Sequence, residues 1–170
     1  ATSGFVDIDG IIAQSMNLSQ TALNNSKTGI KLRLVTTHKT DYNEDTDGLD
    51  EMAQNDPDFS ASGERLDRFT ESGEGFMDEI HGVRDTFGAD IAALLVRIDD
   101  TGGLGWRLGR SGGNPSIGFN LNRVQQVADT FTLIHEIGHN MGNAHSRTQS
   151  SSEASTGGGL FHYSAGFQNT

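Results

Sequence analysis

Three histidines and a glutamate crowd into one short stretch of this 170-residue chain. His135, Glu136, His139 and His145 lie within eleven consecutive residues, although the whole chain has only six histidines. Histidines four residues apart share one face of a helix, so His135 and His139 can present two imidazole nitrogens to one metal ion. Glu136 is rotated by about 100° from His135, so it can stand beside that ion without binding it.

A third ligand from this stretch requires the helix to end. His145 lies six residues beyond His139 and would face elsewhere on a straight helix. Gly142 can adopt the left-handed conformation that turns a chain sharply, and such a turn brings His145 beneath the other two histidines. Three neutral imidazoles and one water form the open arrangement of a catalytic zinc. One histidine on a helix is usually a surface or core residue, but five matched motif positions favour a metal site.

The elements that position this stretch follow from hydrophobic periodicity. Residues 8–25 have apolar positions near helical spacing, with Asp7 or Asp9 as the cap, and predict a first helix. The alternation in residues 29–37 predicts a strand covered mainly on one face. Residues 76–88 predict a second helix that stops at Gly88.

The apolar run in residues 89–98 predicts a strand that is buried on both faces. Strand, helix and strand in this order favour a right-handed crossover and a largely parallel sheet. Thr101–Asn114 is rich in glycine and predicts a long loop, and Ser116–Leu121 predicts a short strand. We therefore expect a mixed α/β fold.

Composition limits the partners. The 23 acidic residues outnumber the 12 lysines and arginines, so nucleic acid and anionic membranes would be repelled. No apolar run is long enough to span a membrane, and the first residues lack the features of a signal peptide, so we expect a soluble chain whose export signal is already gone. The absence of cysteine excludes disulfides, thiolate metal sites and a cysteine nucleophile.

The segment HEIGHNMGNAH matches the extended zinc signature of the metzincin metallopeptidases. Other stretches, namely VRDTFGADIAALLV, GGLGW and TALNNSKTGIKLRLV, resemble the reprolysin-like bacterial branch of that clan, so the resemblance covers most of residues 16–146. It implies a catalytic domain with a twisted, mostly parallel sheet, one antiparallel edge strand and a zinc-binding active-site helix. It also implies a secreted bacterial protein, which we expect to be a monomer.

The resemblance also implies the roles of particular residues. His135, His139 and His145 would bind one zinc, and Glu136 would be the general base that takes a proton from the zinc-activated water. An edge strand near Ile117, Gly118, Phe119 and Asn120 would pair with an extended peptide substrate. The expected activity is therefore that of a zinc endopeptidase.

The chain departs from the family pattern after its third histidine. Metzincins carry a methionine turn beyond that ligand, but none of the four methionines here follows His145. The segment FHYSAGFQNT resembles the stretch just before that turn. We therefore expect a single catalytic domain over residues 1–170 that lacks the methionine-turn segment. A zinc-binding but inactive peptide-binding domain, and an enzyme for a non-peptide amide, stay as alternatives.

An acidic stretch has the spacing of a calcium loop. Asn43, Asp45, Asp47 and Gly48 fit its first, third, fifth and sixth positions, but Gln54 stands where a bidentate glutamate belongs. Calcium and a solvated acidic loop both explain this stretch. The other three histidines, His38, His81 and His162, stand alone in the sequence and are expected to be surface or structural residues.

Overall fold

The computed structural model describes residues 7–149, 159–161 and 163–166. These residues form five α-helices, α1 (Ile8–Asn25), α2 (Leu49–Asn55), α3 (Ala61–Thr70), α4 (Glu79–Phe87) and α5 (Thr132–Asn140), and one 3-10 helix, Pro115–Ile117. Its strands are β1 (Ala92–Val96), β2 (Gly103–Gly105), β3 (Phe119–Arg123), β4 (Ala144–Ser146) and β5 (Ala165–Gly166). The mixed α/β fold expected from the sequence is confirmed.

Two helices form where periodicity and end signals agree. The N-cap of α1 is Asp7, whose carboxylate accepts a hydrogen bond from the Gly10 amide at 3.0 Å. The C-cap of α4 is Gly88, which has a positive φ of 60°. Both predicted helices are therefore confirmed, with α4 beginning at Glu79. No described helix has the combination of length and apolar character that crossing a membrane requires.

The main sheet has the strand order β1-β3-β2. Strand β3 is parallel to β1, with Leu94 opposite Leu121, and antiparallel to β2, with Leu104 opposite Leu121. The predicted combination of parallel strands with one antiparallel edge strand is present, and β2 is that antiparallel edge. A second, two-stranded sheet joins β4 and β5 in parallel.

Alternation along the strands divides the core between the two faces of the main sheet. Val96 of β1, together with Phe119 and Leu121 of β3, packs with α3 and α4 side chains in one buried cluster. On the opposite face, Leu95 packs against a cluster that includes α5 residues such as Ile137. Successive strand residues point to opposite faces, so each strand serves both layers.

The prediction of a strand over residues 29–37 is wrong, because the structure has no strand between α1 and α2. The segment is instead bound to α1 by one side chain. The Leu32 amide donates to Gln20 Oε1 at 2.9 Å, and Gln20 Nε2 donates to the Ile30 carbonyl at 3.2 Å. These contacts satisfy backbone groups that a strand ladder would otherwise use.

The prediction of an edge strand at Ile117–Asn120 is also wrong. Ile117 ends the 3-10 helix, Gly118 follows it, and Phe119 and Asn120 begin β3, which has β1 on one side and β2 on the other. Both edges of β3 are therefore paired within the protein and cannot receive a peptide. The glycine-rich stretch that predicts a loop supplies the edge strand instead, since Gly103–Gly105 is β2.

Candidate metal centre and active site

The three histidines of the motif converge on one point. His135 and His139 lie on α5, and His145 lies on β4. Their Nε2 atoms form a triangle with sides of 3.1, 3.2 and 3.2 Å. Among the described residues, this is the group of three or more potential ligands whose atoms are close enough to hold one metal ion.

A turn and a short sheet place His145 in this triangle. Helix α5 ends at Asn140, and Gly142 has a φ of 91°, in the left-handed region that favours glycine. The carbonyl of Gly142 accepts a hydrogen bond from the Leu160 amide at 2.8 Å, and the Ala144 amide donates to the Ser164 carbonyl at 2.8 Å. The main-chain groups of Leu160 and Ser164 thus hold the backbone that carries His145.

A backbone contact fixes the proton position on one histidine. The Nδ1 atom of His139 lies 2.8 Å from the Asn143 carbonyl oxygen. Because a carbonyl oxygen only accepts, Nδ1 carries the proton, and the Nε2 of the neutral ring presents its lone pair to the triangle. Burial lowers the pKa values of both His135 and His139, which favours the neutral form that binds metals.

The triangle fits a zinc ion. Four-coordinate zinc with bonds of about 2.0–2.1 Å places its nitrogen ligands roughly 3.3 Å apart. The observed separations of 3.1–3.2 Å are close to that value. Three imidazoles leave one coordination position open, which is the arrangement of a catalytic site.

Glu136 lies against the edge strand β2 and is only 4% exposed. A Cβ atom on Gly103 would lie 2.8 Å from Glu136 Cγ, and one on Gly105 would lie 3.4 Å from Glu136 Oε2. The two glycines therefore let the strand approach this carboxyl group closely. Burial raises the pKa of Glu136 to about 7, so it can hold or release a proton near neutral pH.

A cleft of about 580 Å³ joins these groups. Its walls are β2 with its flanking residues and one side of α5 from Thr132 to His139, and His145 also lines it. One side of β2 pairs with β3, and no other described strand pairs with its second side. An open strand edge therefore runs beside the three histidines.

The substrate-binding residues that the resemblance implies do not line this cleft. Phe119 and Asn120 are 1% and 0% exposed. Gly118 is also buried, and a Cβ there would lie 2.6 Å from the Asp90 carbonyl oxygen, while Ile117 is half-buried outside the cleft. The motif predicts the metal ligands, but the residues that line the cleft beside them depend on the order of the strands in the sheet.

Sequence reasoning missed a network of buried amides beneath the site. Asn122 donates to Asn120 at 2.7 Å, and Asn120 donates to Asn140 Oδ1 at 2.8 Å. Asn140 Nδ2 lies 2.9 Å from the carbonyl oxygens of Trp106 and Phe119. The sequence signal for this network is the alternation of Asn120 and Asn122 with Phe119 and Leu121, which places the two amides together on the face toward α5.

The acidic stretch is bound by arginines. Asp47 pairs with Arg65, with 2.7 Å between Nε and Oδ2, and also accepts a hydrogen bond from Tyr42 at 2.6 Å. Asp45 pairs with Arg97. These contacts account for the carboxylates without a metal, and calcium binding stays an untested prediction.

The remaining histidines lie away from the triangle where the structure describes them. His38 is 3.7 Å from Glu79, and His81 bonds the Glu71 carbonyl oxygen at 3.2 Å and packs on Phe119. Their predicted surface or structural role agrees with these contacts. His162 lies outside the described residues.

Three imidazoles that converge beside a buried carboxylic acid, in a cleft along an open strand edge, are typical of metal-dependent peptidases. The sequence matches metallo-peptidase family M12 over residues 3–167, and the chain belongs to this family. The resemblance to reprolysin-like zinc metallopeptidases is confirmed by that match.

One curated relative is the peptidyl-Asp metalloendopeptidase of Pseudomonas aeruginosa. It is 31% identical over 157 residues, which cover 84% of this chain and 23% of the relative. The chain therefore spans about a quarter of the length of that protein. No solved structure is significantly similar to the chain.

Proposed function

We propose that this chain carries the active site of a zinc-dependent endopeptidase, with His135, His139 and His145 as zinc ligands and Glu136 as general base. The observation that carries the proposal is the triangle of Nε2 atoms beside the buried carboxyl group of Glu136. Membership of a metallopeptidase family and a relative named as an endopeptidase support it. The name of that relative specifies peptidyl-Asp bonds, so acidic side chains are the first to test in substrates.

The chemistry is divided between the ion and the chain. Bound zinc would polarise the scissile carbonyl and lower the pKa of a water to about 7. Glu136 would take a proton from the attacking water and later give it to the leaving amine. Burial raises the pKa of this carboxyl group above its ordinary value, which makes it a stronger proton acceptor. The hydrogen bond from His139 Nδ1 to the Asn143 carbonyl would keep that ring in its ligand orientation.

The open edge of β2 favours a peptide over other amides. Free N–H and C=O groups of an edge strand pair with any extended peptide main chain. Because Gly103 and Gly105 pack on Glu136, this edge is held next to the general base. A peptide aligned on β2 would therefore lie along the cleft that contains the three histidines.

Casein digestion with and without a chelator tests the proposal. We expect cleavage that is lost with the chelator and restored by zinc. Glu136→Gln should keep its zinc and fold but lose about 10²–10⁴-fold in rate, the usual contribution of a positioned acid or base. Glu51→Gln, at an exposed position of α2, is the matched control and should behave like the parent.

The outcomes separate the proposal from its alternatives. Parental cleavage by zinc-loaded Glu136→Gln would contradict the role of this residue. If the parent binds zinc and peptides but cleaves nothing, the chain is an inactive peptide-binding domain. Cleavage of small amides without cleavage of peptides would favour the non-peptide alternative.

A further inference from the structure

Arg107 lies in the cleft because of the alternation of β2. Gly103 and Gly105 both face α5, as shown by the contacts that a Cβ would make there. Residues two apart in an extended chain point to the same side, and the next residue in this series is Arg107. It is exposed and lines the cleft together with Glu136 and His139.

The charge of Arg107 contrasts with that of the protein around it. The chain has a net charge of −11, so most of its surface repels acidic side chains. Among the described residues that line the cleft, Arg107 is the only lysine or arginine.

We propose that Arg107 is a specificity-determining residue that binds an aspartate or glutamate side chain of the substrate, close to the scissile bond. This inference rests on the proposed peptidase function. A guanidinium is always charged and holds a carboxylate through two parallel hydrogen bonds. A peptide aligned on β2 would place one of its side chains beyond Gly105, beside Arg107. An amide of equal size, such as asparagine, would lack the charge for this contact.

The residues around Arg107 also favour a role in choosing between substrate side chains. Positions 103, 105 and 107 point to the same side of the chain, toward α5. Because the first two are glycines, the guanidinium of Arg107 is the first long side chain that this side presents to the cleft. Among the described residues that line the cleft, the only carboxylic acid is Glu136, which is buried. Among the described lining residues, an acidic substrate side chain would therefore find one exposed cation and no exposed carboxylate.

The test uses peptides that are identical except for aspartate, asparagine or lysine at one position near the cleaved bond. We expect the parent protein to show kcat/KM at least tenfold higher for the aspartate peptide than for the asparagine peptide. Arg107→Gln should bring this ratio to about one, and Arg107→Glu should favour the lysine peptide. Arg110→Gln, an exposed arginine outside the cleft lining, should keep the parental ratio.

A binding measurement separates this inference from the peptidase proposal. Zinc-loaded Glu136→Gln protein is titrated with the same peptides in a calorimeter, with and without Arg107→Gln. Tighter binding of the aspartate peptide that depends on Arg107 supports the inference even if no protein cleaves. The inference is overturned if the aspartate-to-asparagine ratio survives Arg107→Gln, or if that variant slows both peptides equally, since Arg107 would then act on catalysis rather than selection.

Discussion

Gly103 and Glu136 are in direct contact across the cleft: a Cβ atom on Gly103 would lie 2.8 Å from both Cγ and Oε1 of Glu136. Real Cβ atoms do not approach other atoms so closely, so any larger residue must displace the strand or the glutamate. The contact ties the open edge of the sheet to the proposed general base. The position of Glu136 therefore depends on a residue that has no functional group.

Gly103→Ala should lower peptidase activity by at least tenfold while zinc content stays near one per chain. The nearest neighbours of the added methyl group would be Glu136 and Thr132, neither of which is a proposed zinc ligand. Metal analysis and kcat/KM on one peptide measure the two effects. Gly109→Ala is the control, because a Cβ there has no neighbour within 4 Å. Full activity of the Gly103 variant would contradict the close contact.

His145→Ala should remove most of the zinc. The two histidines that remain lie on one helix, and two ligands alone hold zinc weakly. Zinc content after dialysis against a weak chelator measures the loss. His38→Ala, outside the triangle, should keep its zinc. If the His145 variant retains zinc as the parent does, a different third ligand must complete the site.

The sequence predicts the metal centre because its signal is local. Spacing on α5 and one turn at Gly142 bring His135, His139 and His145 together. The pairing of β4 with β5, which the sequence does not reveal, then holds the strand that carries His145. The start of α1 at Asp7 and the end of α4 at Gly88 are predictable for the same reason, because capping depends only on the adjacent backbone.

The borders of the cleft depend on strand pairing, which the sequence does not reveal. Strand β2 has three residues and two of them are glycine, so it lacks the hydrophobic alternation that predicts a strand. Residues 29–37 show that alternation and yet form no strand, and Gln20 binds the Ile30 carbonyl and the Leu32 amide instead. The roles proposed for Gly103 and Arg107 emerge only when β2 is known to be the edge.

The ion pair between Asp47 and Arg65 should make the protein sensitive to acid. Burial alone would raise the pKa of Asp47, but hydrogen bonds from Arg65 and Tyr42 outweigh it and hold the pKa below the ordinary 3.8. The pKa of Asp47 is lower in the folded state than in the unfolded state. The stabilisation is therefore complete above the unfolded-state pKa and is lost as the pH falls through the folded-state pKa.

We therefore expect the free energy of unfolding to fall below about pH 4 in the parent. Asp47→Asn should cost about 3 kcal/mol at pH 7 and should flatten the acid dependence, because the buried Arg65 charge would keep only its ion pair with the exposed Asp50. Urea unfolding between pH 3 and pH 7 measures both effects. Asp58→Asn, an exposed aspartate, should leave the curve close to that of the parent. An unchanged acid dependence in Asp47→Asn would assign the acid sensitivity to other groups.

Asn140 should be required for stability rather than for zinc chemistry. It ends α5 directly after His139, and its Nδ2 group donates to main-chain oxygens at both Trp106 and Phe119. Asn140→Asp keeps the shape of the side chain but turns an oxygen toward those carbonyl oxygens. The lost hydrogen bonds and the repulsion should cost about 1–3 kcal/mol of unfolding free energy. Urea unfolding at pH 7 measures the cost, and Asn17→Asp, an exposed asparagine in α1, controls for the added charge. A loss below roughly 0.5 kcal/mol, the range of ordinary surface substitutions, would show that these bonds do not hold α5 on the sheet.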